Sequence, residues 1–237
     1  MKLTYFEDCL STNDSIIPLI TSNKDDVFGI YTFHQKKGRG QYGNSWESLK
    51  NLNIAFSIAL PTNLVRMSDS LFNFYTALVL RNFVAKLTNT NVAIKWPNDL
   101  IINNKKIAGI LIEKNKVAGS NYFIIGFGIN VLQMDFENLP SASSLKVETR
   151  QDYDLHSISE NLSSYFENAI LSENNGENIL KKYEKVLFKK DKVAVFEINN
   201  SRQNGIIKNV DEHGFIYIEL EKDGLKKFYH KEIQMLY

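Results

Sequence analysis

The stretch QKKGRGQYGNSW, positions 35–46, has the composition of a loop that could bind an anion. It combines three glycines with three cationic side chains and offers almost nothing to a hydrophobic core. Glycine lets backbone N–H groups approach a ligand closely, and Arg39 can grip a carboxylate or a phosphate with two hydrogen bonds. A solvated hairpin loop is the alternative, because short glycine motifs recur by accident.

Two further segments place a charged side chain at the start of a strand. KWPNDL, positions 95–100, carries Asp99 directly after a Pro-Asn turn, and NNKKIAGILIE, positions 103–113, carries Lys106 ahead of an uncharged run. An ammonium held there acts as a fixed point charge in a pocket. Each segment alone also has a structural explanation, either as a type I turn or as a surface lysine.

A fourth segment, IIGFGINV at positions 124–131, interrupts a strand-like run with Gly126 and Gly128. Glycine inside a strand marks a bulge or the close approach of another backbone or a ligand. The amide of Asn130 follows and can both donate and accept hydrogen bonds.

Periodicity predicts the elements that position these segments. A short helix begins near Ser11, Thr12 or Asn13, any of which can cap it. Strict alternation over 53–60 puts large apolar residues on one strand face and small ones on the other, as if something packs closely there. We predict further strands at 27–33, 92–96, 100–102, 107–113 and 122–131, and helices at 68–88, 156–171 and 177–188.

After Phe188 the sequence pattern changes to short strand-like runs of alternating residues, separated by Asn-Gly, His-Gly and Asp-Gly turns. This pattern is typical of a small all-β barrel. We therefore predict two domains, 1–188 and 189–237.

The composition excludes several classes of protein. Hydrophobic (43%) and charged (23%) residues are near globular averages, and the net charge of +1 lacks the basic excess of a nucleic-acid-binding protein. The single cysteine cannot form an internal disulfide, and no Cys/His cluster has metal-ligand spacing. No apolar run approaches the ~18 residues of a membrane span, and the polar N-terminus is not a signal peptide. These features predict a cytoplasmic protein with no metal site and no nucleic-acid or membrane partner.

Taken in order, the segments form a specific series. Its members are a Ser-Thr-Asn helix start (11–13), GRGQ-x-G-x-S-W (38–46), KWPND (95–99), K-x-AGILIE (106–113) and G-x-G-x-N (126–130). With the trailing β segment, the series resembles the biotin protein ligases (biotin–acetyl-CoA-carboxylase ligases) from about Ser11 to the C-terminus. The resemblance implies an α+β catalytic domain, a mixed sheet with flanking helices shared with class II aminoacyl-tRNA synthetases and lipoate ligases, followed by an SH3-like C-terminal barrel.

The resemblance also implies a two-step reaction. Enzymes of this family join biotin to ATP, supplied with Mg²⁺, as biotinyl-5′-AMP, which a lysine of a biotin carboxyl carrier protein then attacks. Because a carboxylate must attack a polyanion, positive charge is needed at the reacting centre. The motif match gives that work to Lys106, which would hold the carboxylate and the α-phosphate together, and to Arg39, which would clamp the phosphates. Asp99 would orient the catalytic groups.

Binding roles carry over by the same match. For biotin, the implied residues are Ser11, Thr12, Asn13, Gln35, Gly38, Arg39, Gly40, Lys106, Gly109 and Gly128. For ATP and the adenylate, they are Arg39, Gln41, Trp46, Asn98, Lys106 and Asn130. The loop 35–46 would be mobile when empty and would order over the ligand.

Two departures from the family pattern bear on function. Many relatives have arginine where this chain has Gln41 and a third basic residue where it has Asn44, so we expect weaker electrostatic retention of the adenylate unless Lys36 or Lys37 substitutes. Since the catalytic signature begins at Ser11, we also expect the monofunctional type, which lacks an N-terminal DNA-binding domain.

Three other functions remain as alternatives. A lipoate or octanoate ligase on the same fold would want a longer apolar slot than the polar 11–13 segment suggests. A non-catalytic biotin or nucleotide sensor would retain the pocket, although Lys106, Arg39 and Asp99 are all present. Nucleic-acid binding through the C-terminal barrel is disfavoured by its mixed charges. The oligomeric state stays open, a homodimer included.

Overall fold

The structure is a computed structural model that describes residues 1–20, 26–137, 139–170 and 176–237. Its strands are β1 Lys2–Tyr5, β2 Phe28–Thr32, β3 Gly38–Arg39, β4 Ser45–Trp46, β5 Asn53–Pro61, β6 Ala93–Lys95, β7 Asp99–Ile102, β8 Lys105–Val117, β9 Ser120–Asn130, β10 Val193–Ile198, β11 Ser201–Val210, β12 Ile216–Leu220, β13 Gly224–Phe228 and β14 Gln234–Leu236. Its α-helices are α1 Thr12–Ser15, α2 Asp69–Thr88, α3 Leu145–Thr149, α4 Leu155–Ile170 and α5 Gly176–Lys185.

The larger layer is a seven-stranded mixed sheet in the order β1-β2-β5-β9-β8-β7-β6. Only β1 and β2 run parallel among these neighbours, and β3 and β4 form a separate two-stranded hairpin. The predicted α+β class, a mixed sheet with flanking helices, is confirmed.

The two faces of this sheet differ in side-chain size. Along β5 the large residues are buried on the side covered by α2 and α4, together with neighbours from β9. The opposite side carries small residues, where Ala55 and Ser57 pair with Gly128 and Gly126 of β9. Because the small side leaves space above the backbone, α1 and the β3–β4 hairpin can approach the sheet there. The close packing predicted from the alternation over 53–60 is confirmed.

Helix α2 matches its sequence signals. Ser68 caps its N-terminus by accepting a hydrogen bond from the backbone N–H of Leu71 (3.3 Å), and Asn89 ends it in the left-handed region (φ +50°). Most of its residues from Leu71 to Val84 are buried in the core. The helix therefore covers the large-residue face and leaves the other face open for a site.

Several predicted boundaries need correction. The strand predicted at 107–113 runs from Lys105 to Val117, because its turn comes only at Ala118 and Gly119, both with positive φ. The helix predicted at 177–188 ends at Lys185, since Val186–Phe188 hydrogen-bonds alongside β6 instead.

One other helix matches its predicted bounds closely, and two short elements were not predicted. Helix 156–171 is confirmed as Leu155–Ile170, and residue 171 lies outside the described residues. Strand β1 and helix α3 were not predicted; both are five residues or fewer, too short for a periodic signal.

The C-terminal segment forms a five-stranded antiparallel sheet in the order β13-β12-β11-β10-β14. It contacts helices α5 and α2, which flank the seven-stranded sheet. Glu184 accepts a hydrogen bond from the backbone N–H of Val210 (3.1 Å), and Ser70 donates one to the carbonyl of His213 (3.0 Å). The predicted small β unit is therefore present as a sheet, while its SH3-like closure and the boundary at 188/189 stay predictions. Among the described residues, no helix combines the length and apolar composition needed to cross a bilayer.

Candidate functional site

An open cavity of about 140 Å³ lies on the small-residue face of the seven-stranded sheet. Helix α1, the β3–β4 hairpin and the β6–β7 turn surround it. It brings together most of the predicted site residues: Ser11, Thr12, Asn13, Gln35, Arg39, Gly40, Gln41, Trp46, Asn98, Asp99, Lys106, Gly109 and Gly128. These residues are separated by as many as 117 positions, and the sheet register places them together.

One end of the cavity is a buried polar recess. The side-chain carbonyl of Gln35 accepts a hydrogen bond from the backbone N–H of Thr12 (2.8 Å) and lies 3.2 Å from its hydroxyl. The hydroxyl of Ser57 lies 2.6 Å from Oδ1 of Asn13 and 2.8 Å from the hydroxyl of Thr12. Gly126 is the floor, because a Cβ there would stand only 2.4 Å from Asn13 Oδ1. The recess therefore holds several hydrogen-bonding side chains in fixed positions.

Arg39 points across the cavity mouth into an ion-pair network. Its guanidinium donates two hydrogen bonds to Glu113 (2.9 and 2.8 Å) and one to Asp14 (2.8 Å). Asn13 also donates to Glu113 at 2.8 Å, so the network joins the hairpin to the polar recess. These groups are partly exposed, and water screens such pairs strongly. The guanidinium is therefore held in place but can exchange partners with an anionic ligand.

The opposite wall carries a close ion pair. Nζ of Lys106 lies 2.7 Å from Oδ1 of Asp99, with both side chains partly buried (32% and 19% exposed). A register shift in the β7–β8 ladder after Leu100 places Asp99 opposite Gly109 and brings the two charged residues to one edge. The lysine charge is thereby directed into the cavity.

The carboxylate of Asp99 also affects the pKa values of Lys95 and Tyr237. Burial lowers the pKa of Lys95, an effect that Asp99 opposes, and the ammonium of Lys95 lies 4.6 Å from the ring centroid of Tyr237. Burial also raises the pKa of Tyr237 to about 12, with a smaller contribution from Asp99. The end of the C-terminal sheet therefore packs against the charged wall of the site.

The glycines opposite the polar recess accommodate a tryptophan. A Cβ on Gly128 would stand 2.3 Å from Cε2 of Trp46, and a Cβ on Gly109 would stand 3.1 Å from Cζ3. Both glycines are among the residues that the motif match implies for biotin binding. In the structure the indole lies against both glycines, and its Nε1 is buried with no hydrogen-bond partner among the described residues.

Two predicted site residues, Gly38 and Asn130, lie outside the cavity. A third, Asn98, lines the cavity, but its side chain is already hydrogen-bonded to the protein. Gly38 pairs with Trp46 in the β3–β4 hairpin, and a Cβ there would meet the Trp46 carbonyl at 2.3 Å, so the hairpin explains this glycine. Asn130 is buried and donates to the carbonyl of Ser143 (3.0 Å). Asn98 lines the cavity but donates to the carbonyl of Ile110. Their predicted ligand contacts stay predictions.

Sequence reasoning missed several residues of the site. Ser57 had a signal, as a polar residue on the small face of β5, and Glu113 closes the quoted K-x-AGILIE motif. His230 lines the cavity from the turn after β13, more than 180 positions beyond the hairpin, and had no local signal. Among the described residues, no group of three or more His, Cys, Asp or Glu could hold a metal ion.

This sheet, hairpin and cavity have the fold of the biotin protein ligases. The biotin protein ligase of Aquifex aeolicus in complex with biotin and ATP superposes with a TM-score of 0.82 over 99% of this chain and 98% of that chain, at 21% identity. That of Leishmania major in complex with biotinyl-5-AMP gives a TM-score of 0.69 over 96% and 98%, at 18% identity. Residues 22–130 match the model of the Biotin/lipoate A/B protein ligase family.

Two curated relatives are similar to part of this chain. The biotin–[acetyl-CoA-carboxylase] ligase of Mycobacterium tuberculosis is 30% identical over 57% of this chain and 51% of its own length. The bifunctional ligase/repressor of Escherichia coli is 30% identical over 51% of this chain and 38% of its own length. The match thus spans about half or less of the length of these relatives.

Proposed function

We propose that the protein joins biotin to ATP as biotinyl-5′-AMP and transfers the biotinyl group to a lysine of a biotin carboxyl carrier protein. The observation that carries the proposal is the placement of the polar recess beside the Lys106–Asp99 pair in one cavity. The recess suits the ureido ring of biotin, since Thr12, Asn13 and Gln35 supply donors and acceptors in fixed positions. The names of the similar proteins support the same reaction.

In the first step a biotin carboxylate oxygen attacks the α-phosphorus of ATP. A new O–P bond forms, the bond to the β-phosphate oxygen breaks, and pyrophosphate leaves with Mg²⁺, which enters with ATP as part of the substrate. Two anionic groups repel each other, and the barrier falls when a cation contacts both of them. Lys106 fulfils this role in the proposal, and Asp99, at 2.7 Å, fixes the position of its ammonium.

In the second step the amine of the carrier lysine attacks the acyl carbon of the mixed anhydride. The amide bond forms, AMP leaves with the electron pair of the acyl–oxygen bond, and the proton lost by the amine passes to water. Lys106 then faces the departing phosphate. In the proposal, the carboxylate of Asp99, whose Oδ1 lies 2.7 Å from the Lys106 ammonium, orients the incoming amine, which extends its predicted orienting role.

Arg39 and the β3–β4 hairpin complete the nucleotide side of the proposal. Arg39 exchanges its hydrogen bonds to Glu113 and Asp14 for hydrogen bonds to the phosphates. This exchange costs little free energy, because the ion pairs that break are partly exposed. The indole of Trp46, which packs against Gly128, covers the adenine in the proposal. Closure of the hairpin shields the reactive anhydride from water until the acceptor arrives.

The test is ATP-dependent incorporation of labelled biotin into a purified carrier domain, with adenylate measured separately in the absence of the carrier. We expect both signals from the wild type. Thr12→Val removes one hydroxyl from the recess and should raise the KM for biotin more than that for ATP. Thr90→Val is the matched control, because Thr90 lies in the turn after α2 outside the cavity.

Three other results would contradict the proposal. Labelling by lipoate or octanoate in place of biotin would assign the chain to the lipoate side of the family. Biotin binding without adenylate formation would indicate a sensor. Loss of activity equally in Thr12→Val and Thr90→Val would remove the recess as the biotin site. The acceptor, the two-domain boundary and the cytoplasmic location stay predictions.

A further inference from the structure

The tip of the β3–β4 hairpin holds a backbone conformation that its own residue disfavours. Tyr42 lies in the left-handed region (φ +56°, ψ +38°), which a side chain with a Cβ rarely adopts. Such a conformation persists when the surrounding structure holds it. The hairpin itself supplies one bond near the tip, from the backbone N–H of Gly40 to the carbonyl of Asn44 (2.7 Å).

Contacts from the C-terminal sheet hold this tip. The ring of His230 stacks on the ring of Tyr42, with centroids 4.4 Å apart and planes 13° from parallel. The ammonium of Lys231 donates a hydrogen bond to the carbonyl of Tyr42 (3.1 Å) and lies 4.8 Å from its ring centroid. One stacking contact, one hydrogen bond and one cation–π contact therefore converge on a single residue of the glycine-rich hairpin.

The turn that presents His230 is itself well anchored. It follows β13 directly, after buried Phe228, and is closed by hydrogen bonds in both directions between Tyr229 and Glu232 (2.6 and 3.2 Å). The imidazole also lies 5.7 Å from the ring of Trp96 in the β6–β7 turn. The anchored turn thus fixes the position of the His230 ring, and the hairpin tip packs against that ring.

His230 also stands at a boundary between two cavities. The ligand cavity and a neighbouring cavity lined by Tyr42, Trp96 and Lys114 share His230 and Gln41. Nδ1 of His230 is buried with no hydrogen-bond partner among the described residues. The stack therefore separates the ligand cavity from the second cavity and sits beside the position where many relatives carry a cationic arginine.

We propose that His230 is a positioning residue that latches the glycine-rich hairpin over the ligand cavity by stacking on Tyr42, so that the C-terminal sheet controls hairpin opening. The latch is a property of the protein without ligand. Its consequence, that stacking supplies part of the adenylate retention that a cationic residue at position 41 would otherwise give, rests on the proposed function.

The latch is tested by amide hydrogen exchange of segment 40–46 in the protein without ligand. His230→Ala should speed exchange in that segment about threefold to tenfold, the range for loss of one aromatic stack. Tyr42→Ala should do the same from the other side of the stack. His230→Phe, which keeps a flat ring, should stay close to wild type. His213→Ala is the matched control, since His213 lies in the turn between β11 and β12 with an exposed side chain.

Unchanged exchange of segment 40–46 in His230→Ala would overturn the proposal. Equal acceleration throughout β10–β14 would also overturn it, because the residue would then stabilise its own sheet and not the hairpin. In turnover assays with biotin and ATP, His230→Ala should release adenylate about threefold to tenfold faster and His230→Phe should restore retention. Because the exchange measurement uses no substrate, failure to form adenylate would refute the proposed function and leave the latch to be judged by exchange alone.

Discussion

The ammonium of Lys106 lies 2.7 Å from Oδ1 of Asp99 and 5.5 Å from the ring centroid of Trp46. A carboxylate and an aromatic face thus hold one cation at the edge of the ligand cavity. This arrangement limits the rotamers of a long, flexible side chain before substrate binds. The carboxylate of Asp99 and the ammonium of Lys106 come from different sequence motifs, and the ion pair needs both of them.

Replacing Lys106 should abolish most of the first chemical step. Lys106→Ala should lower the rate of adenylate formation by about 10²-fold to 10³-fold, the loss seen when one preorganised charge-stabilising donor is removed. Asp99→Asn keeps the shape but loses the charge, and should cost about tenfold. Single-turnover adenylate formation with labelled ATP measures both rates.

The neighbouring lysine provides the control for this prediction. Lys105 precedes Lys106 on β8, but its ammonium donates to the carbonyl of Pro140 and does not line the cavity. Lys105→Ala should leave adenylate formation within about twofold of wild type. An equal loss in the two variants would show that net charge, and not the position of Lys106, matters.

Gly128 should tolerate no side chain. The Cβ of Gly128→Ala would stand 2.3 Å from Trp46, so the indole must move away from the sheet. We expect ATP binding to weaken about tenfold, because displacing the half-buried indole that covers the adenine in the proposal costs about 1 kcal/mol or more. In a Trp96→Phe background, which leaves Trp46 as the only tryptophan, its fluorescence should shift toward that of exposed indole.

Gly29→Ala serves as the comparison, since its added Cβ meets the flexible end of Leu3 at 3.0 Å, away from the cavity. It should leave both binding and Trp46 fluorescence near wild type. If Gly128→Ala behaves like Gly29→Ala, the indole does not depend on that glycine.

Gln41→Arg should slow adenylate release. Gln41 lines the cavity without a charge, and Lys36, one expected substitute, is paired with Asp8 at 2.8 Å. An arginine should therefore lengthen the lifetime of the bound adenylate by about threefold to tenfold through a charge-assisted hydrogen bond. Chase of labelled adenylate from the enzyme gives the rate. Gln151→Arg adds the same charge at an exposed site outside the cavity, and equal release from wild type and Gln41→Arg would end this explanation.

Acid should weaken the hairpin latch. Burial lowers the pKa of His230 below its ordinary value of 6.5; Asp99 opposes this shift, while Lys231 and Lys95 add to it. Since the neutral ring is favoured when stacked on Tyr42, the full stacking free energy is present above about pH 6.5 and is lost as the pH falls through the depressed pKa.

Hydrogen exchange measures this pH dependence. After correction for the chemical exchange rate, opening of segment 40–46 should rise between about pH 7 and pH 5 in the wild type. In His230→Phe it should stay flat, because the stacked ring no longer titrates. A flat profile in both proteins would show that His230 protonation does not govern the hairpin.

Much of the fold followed from local signals in the chain. The alternation over 53–60 predicted a strand with one large and one small face, and Ser68 with the apolar spacing behind it predicted α2. These signals are short-range, because backbone periodicity and capping depend on neighbours within a turn or two. Boundaries set by other strands were missed, as when Val186–Phe188 left the helix to follow β6.

The site was predicted where motifs supplied its residues. Lys106, Arg39 and the 11–13 segment were named from their sequence context, and the structure gathers them into one cavity. What spacing alone did not reveal was how the residues pair. Arg39 reaches Glu113 across the cavity, and Trp46 packs against Gly128, a residue that the motif match assigned to biotin. These contacts depend on the hairpin folding back onto the sheet.

The amino-acid sequence by itself determined most of the longer elements, the charged and glycine-rich motifs, and the family they resemble, because residue type and local spacing act along the chain. The tertiary structure decided which distant groups meet. His230 reaches Tyr42 only because the C-terminal sheet docks beside the β6–β7 turn, and the Lys106–Asp99 pair forms only because a register shift aligns two strands. Both depend on contacts between segments far apart in sequence, whose geometry is fixed by packing and strand register and by no local pattern.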